Sequence, residues 1–194
     1  LTLENPKIRG LCSQLPVWSE AQPIPCVRVK SLPAGANGYW ALWSIRLVAG
    51  QERRCQYMPV YIKPNGQYYA TASQRVWDAV CSKEFDILPQ ELAAAPAEHQ
   101  SAYALLHQAA QQEGKAIFES MLAATQIDLD NQNEKGEYSF NARKRAIERV
   151  GLPEVRQYRL RQLDSEYALW RQELDKKRHA IPDMVLHAVF EIKG

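Results

Sequence analysis

The segment GYWALWSIRLVAG (38–50) constrains this chain more than any other stretch. Alternation along an extended backbone puts Tyr39, Ala41, Trp43, Ile45 and Leu47 on one face, and Trp40, Leu42, Ser44, Arg46 and Val48 on the other. The first face is wholly apolar, and the second is apolar except at Ser44 and Arg46. Such a strand is expected to be covered on one side and partly covered on the other. AGQE (49–52) supplies a short turn, and RRCQYMPVYIK (53–63) returns as a hairpin partner with Met58, Val60 and Ile62 on one face. Pro59 removes a ladder donor, which predicts an edge strand or a bulge. Pro64-Asn65-Gly66 marks a turn, with QYYA (67–70) as a third strand. The five tryptophans read mostly as core, and Trp40, on the mixed face, is the candidate for an exposed platform.

Before this meander, prolines 16, 23, 25 and 33 mark loops around one short strand candidate, CVRVK (26–30). After it the period changes. Thr71-Ala72-Ser73-Gln74 fits a capping box ahead of a helix that carries Val76, Trp77 and Val80 on one stripe. Residues 86–97 read as a connector. A long helix is expected from about Glu98 to Ile127, with a stripe of Ala102, Leu106, Ala109, Ile117, Met121 and Ala124. DNQNEKGE (130–137) reads as a polar turn, residues 139–149 as a basic helix, and Gly151-Leu152-Pro153 as a break. A last long helix runs from Pro153 to about His179 on Leu160, Leu163, Tyr167, Trp170 and Leu174, and MVLHAVFEI (184–192) is one more strand. Long helices joined by a polar hinge imply an antiparallel hairpin, and a strand arriving after them is expected at a sheet edge. The fold class is therefore α+β: a small antiparallel sheet, a meander plus a returning C-terminal strand, packed with a long antiparallel helical hairpin.

At 194 residues the chain suits one cored domain, burying roughly 70% of its unfolded surface, with two small subdomains as the alternative. Apolar content of 46% and charged content of 24% exclude a disordered chain. Residues 1–23 read as a short helix and loop, 24–70 as the meander, 71–180 as mainly helical and 183–192 as the returning strand. No apolar run approaches the ~20 residues of a membrane span. The four cysteines (12, 26, 55 and 81) form no Cys-x-x-Cys pair, so free thiols in a reducing cytoplasm are expected.

The motifs that carry chemistry are weak. Pro182-Asp183 with Glu191-Ile192-Lys193 has the letters of a PD-ExK magnesium nuclease. On one continuous strand, however, Asp183 and Glu191 stand roughly 26 Å apart, too far to share an ion. Asp128-Leu129-Asp130 begins like a calcium loop, but Asn133 stands at its sixth position and Ser139 at its twelfth, where glycine and glutamate belong. Gly50, Gly66, Gly114 and Gly136 are isolated and begin no phosphate loop, and His99, His107, His179 and His187 make no HExxH pattern. His187, inside an apolar strand, reads as a hydrogen-bonded core or edge residue. No catalytic, metal-binding or cofactor-binding residue is assigned.

The net charge of +2 conceals segregation. Residues 1–81 carry nine Lys/Arg against four Asp/Glu, residues 82–138 three against ten, and residues 139–179 eleven against six. The basic run Arg143, Lys144, Arg145, Arg149, Arg156, Arg159 and Arg161, diluted by Glu148 and Glu154, is the candidate interaction surface. Were its helix unbroken, Arg145, Arg149 and Arg156 would share one broad face. Such a stripe suits nucleic-acid phosphates, with salt-sensitive affinity, or an acidic protein. It equally suits neutralisation of segment 82–138.

The opening, LTLENPKIRG, adds a start that is already organised. Asn5-Pro6 is a cap followed by a first-turn proline, with Ile8, Leu11 and Leu15 at helical spacing. This reads as a seam within a longer polypeptide. The Asn-Pro-x-Ile-Arg segment resembles the seam after the helicase core in bacterial SWI/SNF-type ATPases of the RapA/HepA-like, RNA-polymerase-recycling class. The pair GYWALWSIRLVAG…RRCQYMPVYIKPNGQYY and the ending YALWRQELDKKRHAIPDMVLHAVFEI are similar to the region that follows it. The resemblance implies a noncatalytic accessory domain over residues 1–194, scaffolding a DNA-translocating ATPase. ATP and magnesium would belong to the upstream helicase core of the same chain. The implied partners are that core, RNA polymerase, DNA or a phage-defence protein, with no membrane. The resemblance carries over no contact residue. A free-standing nucleic-acid-binding module is the alternative, and a PD-ExK-like nuclease the remote one.

Overall fold

The computed structural model describes residues 17, 18, 22, 24–49, 52–89 and 97–194. The expected helix after Asn5, the middle of the AGQE turn and most of the 86–97 connector lie outside them. The elements are β1 (Cys26–Val29), β2 (Gly38–Ala49), β3 (Glu52–Ile62), α1 (Ala70–Ser82), β4 (Phe85–Ile87), α2 (Ala97–Glu148), α3 (Pro153–Arg178) and β5 (Ala180–Ile192). The fold is α+β, with one five-stranded sheet in the order β3-β2-β5-β1-β4.

The expected sheet differs in three ways. It is mixed rather than antiparallel: β1 runs parallel to β5, pairing Cys26 with Glu191 and Val27 with Ile192, and antiparallel to β4. The returning strand does not sit at an edge. Sequence neighbours β1 and β2 are not hydrogen-bonded neighbours, and β5 fills the place between them. A slot with unpaired backbone on both sides satisfies twice the donors and acceptors that an edge does, and Leu186, Val189 and Ile192 are buried there. QYYA forms only a single bridge, Ile62 with Tyr68, before Ala70 begins α1. The edge position inferred for the Pro59 strand holds, because β3 ends the sheet.

The described chain divides into two compact units. The first comprises the described residues up to Ile45, with Cys55–Ala116 and Met184–Gly194. Here both faces of β2 are covered, more fully than its alternation predicts. On the even face, Trp40 and Leu42 pack with Val27, Val29, Tyr61 and Ile192 against Val76 and Ala79 of α1. Trp40 is no platform: it is wholly buried, and its Nε1 donates to the carbonyl of Ser73 at 3.1 Å. On the odd face, Trp43 meets Tyr103 and His107 of α2, with ring centroids 6.5 and 5.6 Å away. Gly114 lets the helix backbone approach, since a β-carbon there would stand 2.9 Å from Cδ1 of Ile45. The capping box does not form. The N-cap is Tyr69, and Ser73 Oγ instead accepts from the Tyr61 N–H (2.7 Å) and donates to the Tyr69 carbonyl (2.9 Å), tying α1 to β3.

The second unit comprises Arg46–Arg54 and Ile117–Asp183. The expected turn at 130–137 is absent: α2 runs unbroken through it to Glu148, and the chain reverses at residues 149–152. Asn and Asp lower helix propensity by only tenths of a kcal/mol each. Apolar burial carries the helix past them. Leu129 is buried, and Gly136 lies against the Trp170 ring, where a β-carbon would come within 2.1 Å. The α2 stripe departs from the expected one at Ala124, which is exposed, while Thr125 and Leu129 are buried. The α3 stripe holds, with Leu163 and Leu174 buried and Leu160, Tyr167 and Trp170 half-buried.

Candidate functional site

The helical hairpin is closed by a seam of rings and charged hydrogen bonds. Phe140 stands edge-on to Tyr167 at 5.1 Å, and Trp170 packs against both. Tyr167 donates its hydroxyl to Glu137 Oε1 at 2.5 Å, which pushes the phenol above the usual tyrosine range. Arg171 donates to Asn133 Oδ1 at 2.7 Å and pairs with Glu137 at 3.4 Å. The letters of the expected polar turn, Asn133, Gly136 and Glu137, thus serve to join two helices.

The basic run follows this seam to the chain reversal, and the structure sorts its members. Arg143, though exposed, is tied across the hairpin: its guanidinium donates to Glu166 at 2.7 Å and lies 5.7 Å from the Phe140 ring centroid. Arg156 reaches back to the carbonyl of Val150 at 3.4 Å, bracing the turn. Lys144, Arg145, Arg149 and Arg159, with Arg161, are exposed and have no ion pair among the described residues. The break after Glu148 puts Arg156 on a different helix from Arg145, so these two do not share the face inferred for an unbroken helix.

Among the described residues, no ion pair joins these exposed cations to the acidic segment. Three of its carboxylates pair elsewhere: Asp86 with Lys30 at 3.9 Å, Asp128 with Arg54, and Glu137 with Arg171, itself a cation of residues 139–179. Exposed pairs of this kind contribute about 0–1 kcal/mol each.

Three apolar residues missed by the sequence reading stand beside the basic ones. Leu152 in the turn is 67% exposed, Tyr158 is 61% exposed, and Val155 is also exposed. All three fall off the 160/163/167/170/174 stripe, which is the signal that could have found them. Tyr158 accepts a hydrogen bond from Gln162 Nε2 at 3.0 Å.

The other candidate sites are not assembled. β5 is continuous from Ala180 to Ile192, so Asp183 and Glu191 stay at opposite ends of it. Asp183 pairs with Arg46 at 3.8 Å, and Glu191 with Lys193 at 3.3 Å. The carboxylate of Glu191 raises the Lys193 ammonium above its ordinary range. Asp128 and Asp130 lie in mid-helix, where no calcium loop exists. No cluster of three potential metal ligands occurs among the described residues. His187 is a bonded core residue, as expected, with Nε2 2.8 Å from Ser44 Oγ. That pairing has the composition of a nucleophile and its base, but Ser44 is wholly buried, out of reach of a substrate. Burial, and then Glu191, push the Cys26 thiol up, which keeps it protonated. Cys26, Cys55 and Cys81 are free thiols, and among the described residues no helix is long and apolar enough to cross a membrane.

The sequence matches no protein-family model, and a search of curated proteins finds no match.

Proposed function

We propose that this chain is a noncatalytic accessory domain of a cytoplasmic, DNA-translocating SWI/SNF-type ATPase, and that its helical hairpin is the contact element. One observation carries the reading. Lys144, Arg145, Arg149 and Arg159 are exposed around the reversal of the hairpin, without ion pairs among the described residues, while Asp86, Asp128 and Glu137 of segment 82–138 pair with other cations. Exposed cations kept free of internal pairing form an electrostatic surface for an anionic partner. The sequence resemblance supplies the context: a helicase core on the same polypeptide would hold ATP and magnesium, and the partner would be DNA, RNA polymerase or a defence-system protein. Deleting residues 1–194 from that longer polypeptide tests the reading. Basal ATP hydrolysis persists, while translocation or partner capture is lost. Unchanged translocation and unchanged partner binding would contradict it.

The same outward arginines favour a second reading, a free-standing nucleic-acid-binding module. The two separate on whether the hairpin still matters once a motor is attached. In an accessory domain, changing Arg149 and Arg159 to alanine alters DNA-stimulated ATP turnover. In a free-standing module there is no such turnover to alter.

A further inference from the structure

On the helical wheel of α3, Tyr158 falls between Arg159 and Arg161. At 100° per residue, Arg159 follows it on one side and Arg161 lies on the other, with Val155 one turn nearer the chain reversal. All four side chains are exposed, and neither arginine has an ion pair among the described residues. The Tyr158 hydroxyl accepts a hydrogen bond from the Gln162 amide at 3.0 Å, an exposed contact. Leu152 and Arg149, both exposed, lie in the reversal that immediately precedes α3.

We infer that this end of the hairpin binds single-stranded nucleic acid, with Arg149, Arg159 and Arg161 on the phosphates and Tyr158 as a stacking platform for a base. An aromatic ring interleaved with arginines is the combination single strands use, since every base offers a π-face and every linkage a charge. A closed duplex offers phosphates but no free base face, so it leaves Tyr158 unused. An acidic amphipathic helix needs apolar anchors repeating every turn. Here Gln162 and Ser165 interrupt the exposed apolar residues between Tyr158 and Leu169. The inference rests on the hairpin being the contact element but not on any attached motor. Its failure therefore leaves the deletion experiment to judge the accessory-domain reading by itself.

The test is fluorescence anisotropy of the 194-residue chain across a salt series. The probes are a labelled single strand of about 16 nucleotides, the upper end of the site sizes that single-strand-binding grooves occupy, its duplex, and a labelled polyglutamate peptide. The single strand binds more tightly than the other two. Tyr158→Ala weakens it roughly tenfold while Tyr158→Phe leaves it unchanged, because stacking needs the ring and not the hydroxyl. Replacing Arg149, Arg159 and Arg161 together by alanine lowers the slope of log affinity against log salt by about two. Arg28→Ala, an exposed charge on β1, leaves that slope as it was. Circular dichroism confirms that each variant is folded, and the arginine variant decides the matter by itself if a Tyr158 variant is not. Absent binding, a slope indifferent to the three arginines, equal affinity for the duplex or polyglutamate, or a Tyr158→Ala variant that binds like the parent would each overturn the inference.

Discussion

Glycine in a helix interior normally weakens it, and Gly→Ala in an exposed helix gains about 1 kcal/mol. At Gly136 the sign reverses, because the new β-carbon would lie 2.1 Å from the Trp170 ring. Overpacking of this kind costs about 1–3 kcal/mol. Gly136→Ala therefore lowers stability in urea denaturation, and a gain would show that α2 and α3 are not in contact there. The Ser44–His187 hydrogen bond gives a second residue-scale prediction. Both side chains are buried, and their polar atoms are 2.8 Å apart. Ser44→Ala leaves an imidazole nitrogen without that partner and costs about 1–3 kcal/mol. In a double-mutant cycle with His187→Phe the two losses fail to add, and strict additivity would contradict the bond.

At the scale of elements, the hairpin seam makes an alkaline prediction. Tyr167 is held above the usual tyrosine value first by its hydrogen bond to Glu137 and then by burial. A phenol raised on folding contributes stability in full below the unfolded value of about 10, and loses it as pH rises through the higher folded value. The stability gap between the parent and Tyr167→Phe is thus constant below about pH 10 and closes above it. A gap that widens there would contradict the seam. The same elements show what the sequence could disclose. The α3 stripe and the β2 alternation were legible because apolar spacing repeats over many residues. The 130–137 turn was misread because Asn133, Gly136 and Glu137 look like solvent-facing turn residues until a partner helix is placed beside them. The position of β5 was not legible either, because pairing order depends on contacts more than 140 residues apart, such as that of Ser44 with His187. One signal was available: the two polar exceptions on the even face of β2, Ser44 and Arg46, meet His187 and Asp183 of β5. Of the basic run, the letters identified the residues, but only their partners, Glu166 and the Val150 carbonyl, separate Arg143 and Arg156, which brace the hairpin, from the exposed ones left unpaired among the described residues.

For the whole molecule, thiol reactivity reports whether the described fold is present in solution. Cys55 and Cys81 are exposed, whereas Cys26 is buried in β1 with its thiol pushed up. Iodoacetamide modifies Cys55 and Cys81 in the native protein and Cys26 only after denaturation, as peptide mass spectrometry would show. Native labelling of Cys26 would contradict the sheet order around β1. The central claim, that this chain works by contact rather than by chemistry, is tested most directly in the ATP-hydrolysing polypeptide that the resemblance implies. The measurement is DNA-stimulated ATP turnover with Arg149, Arg159 and Arg161 changed together to alanine. The account predicts an unchanged maximal rate, with the DNA concentration for half-maximal stimulation rising at least several-fold, as expected from losing about three phosphate contacts. A collapse of the maximal rate at saturating DNA, or a DNA dependence identical to the parent's, would contradict it.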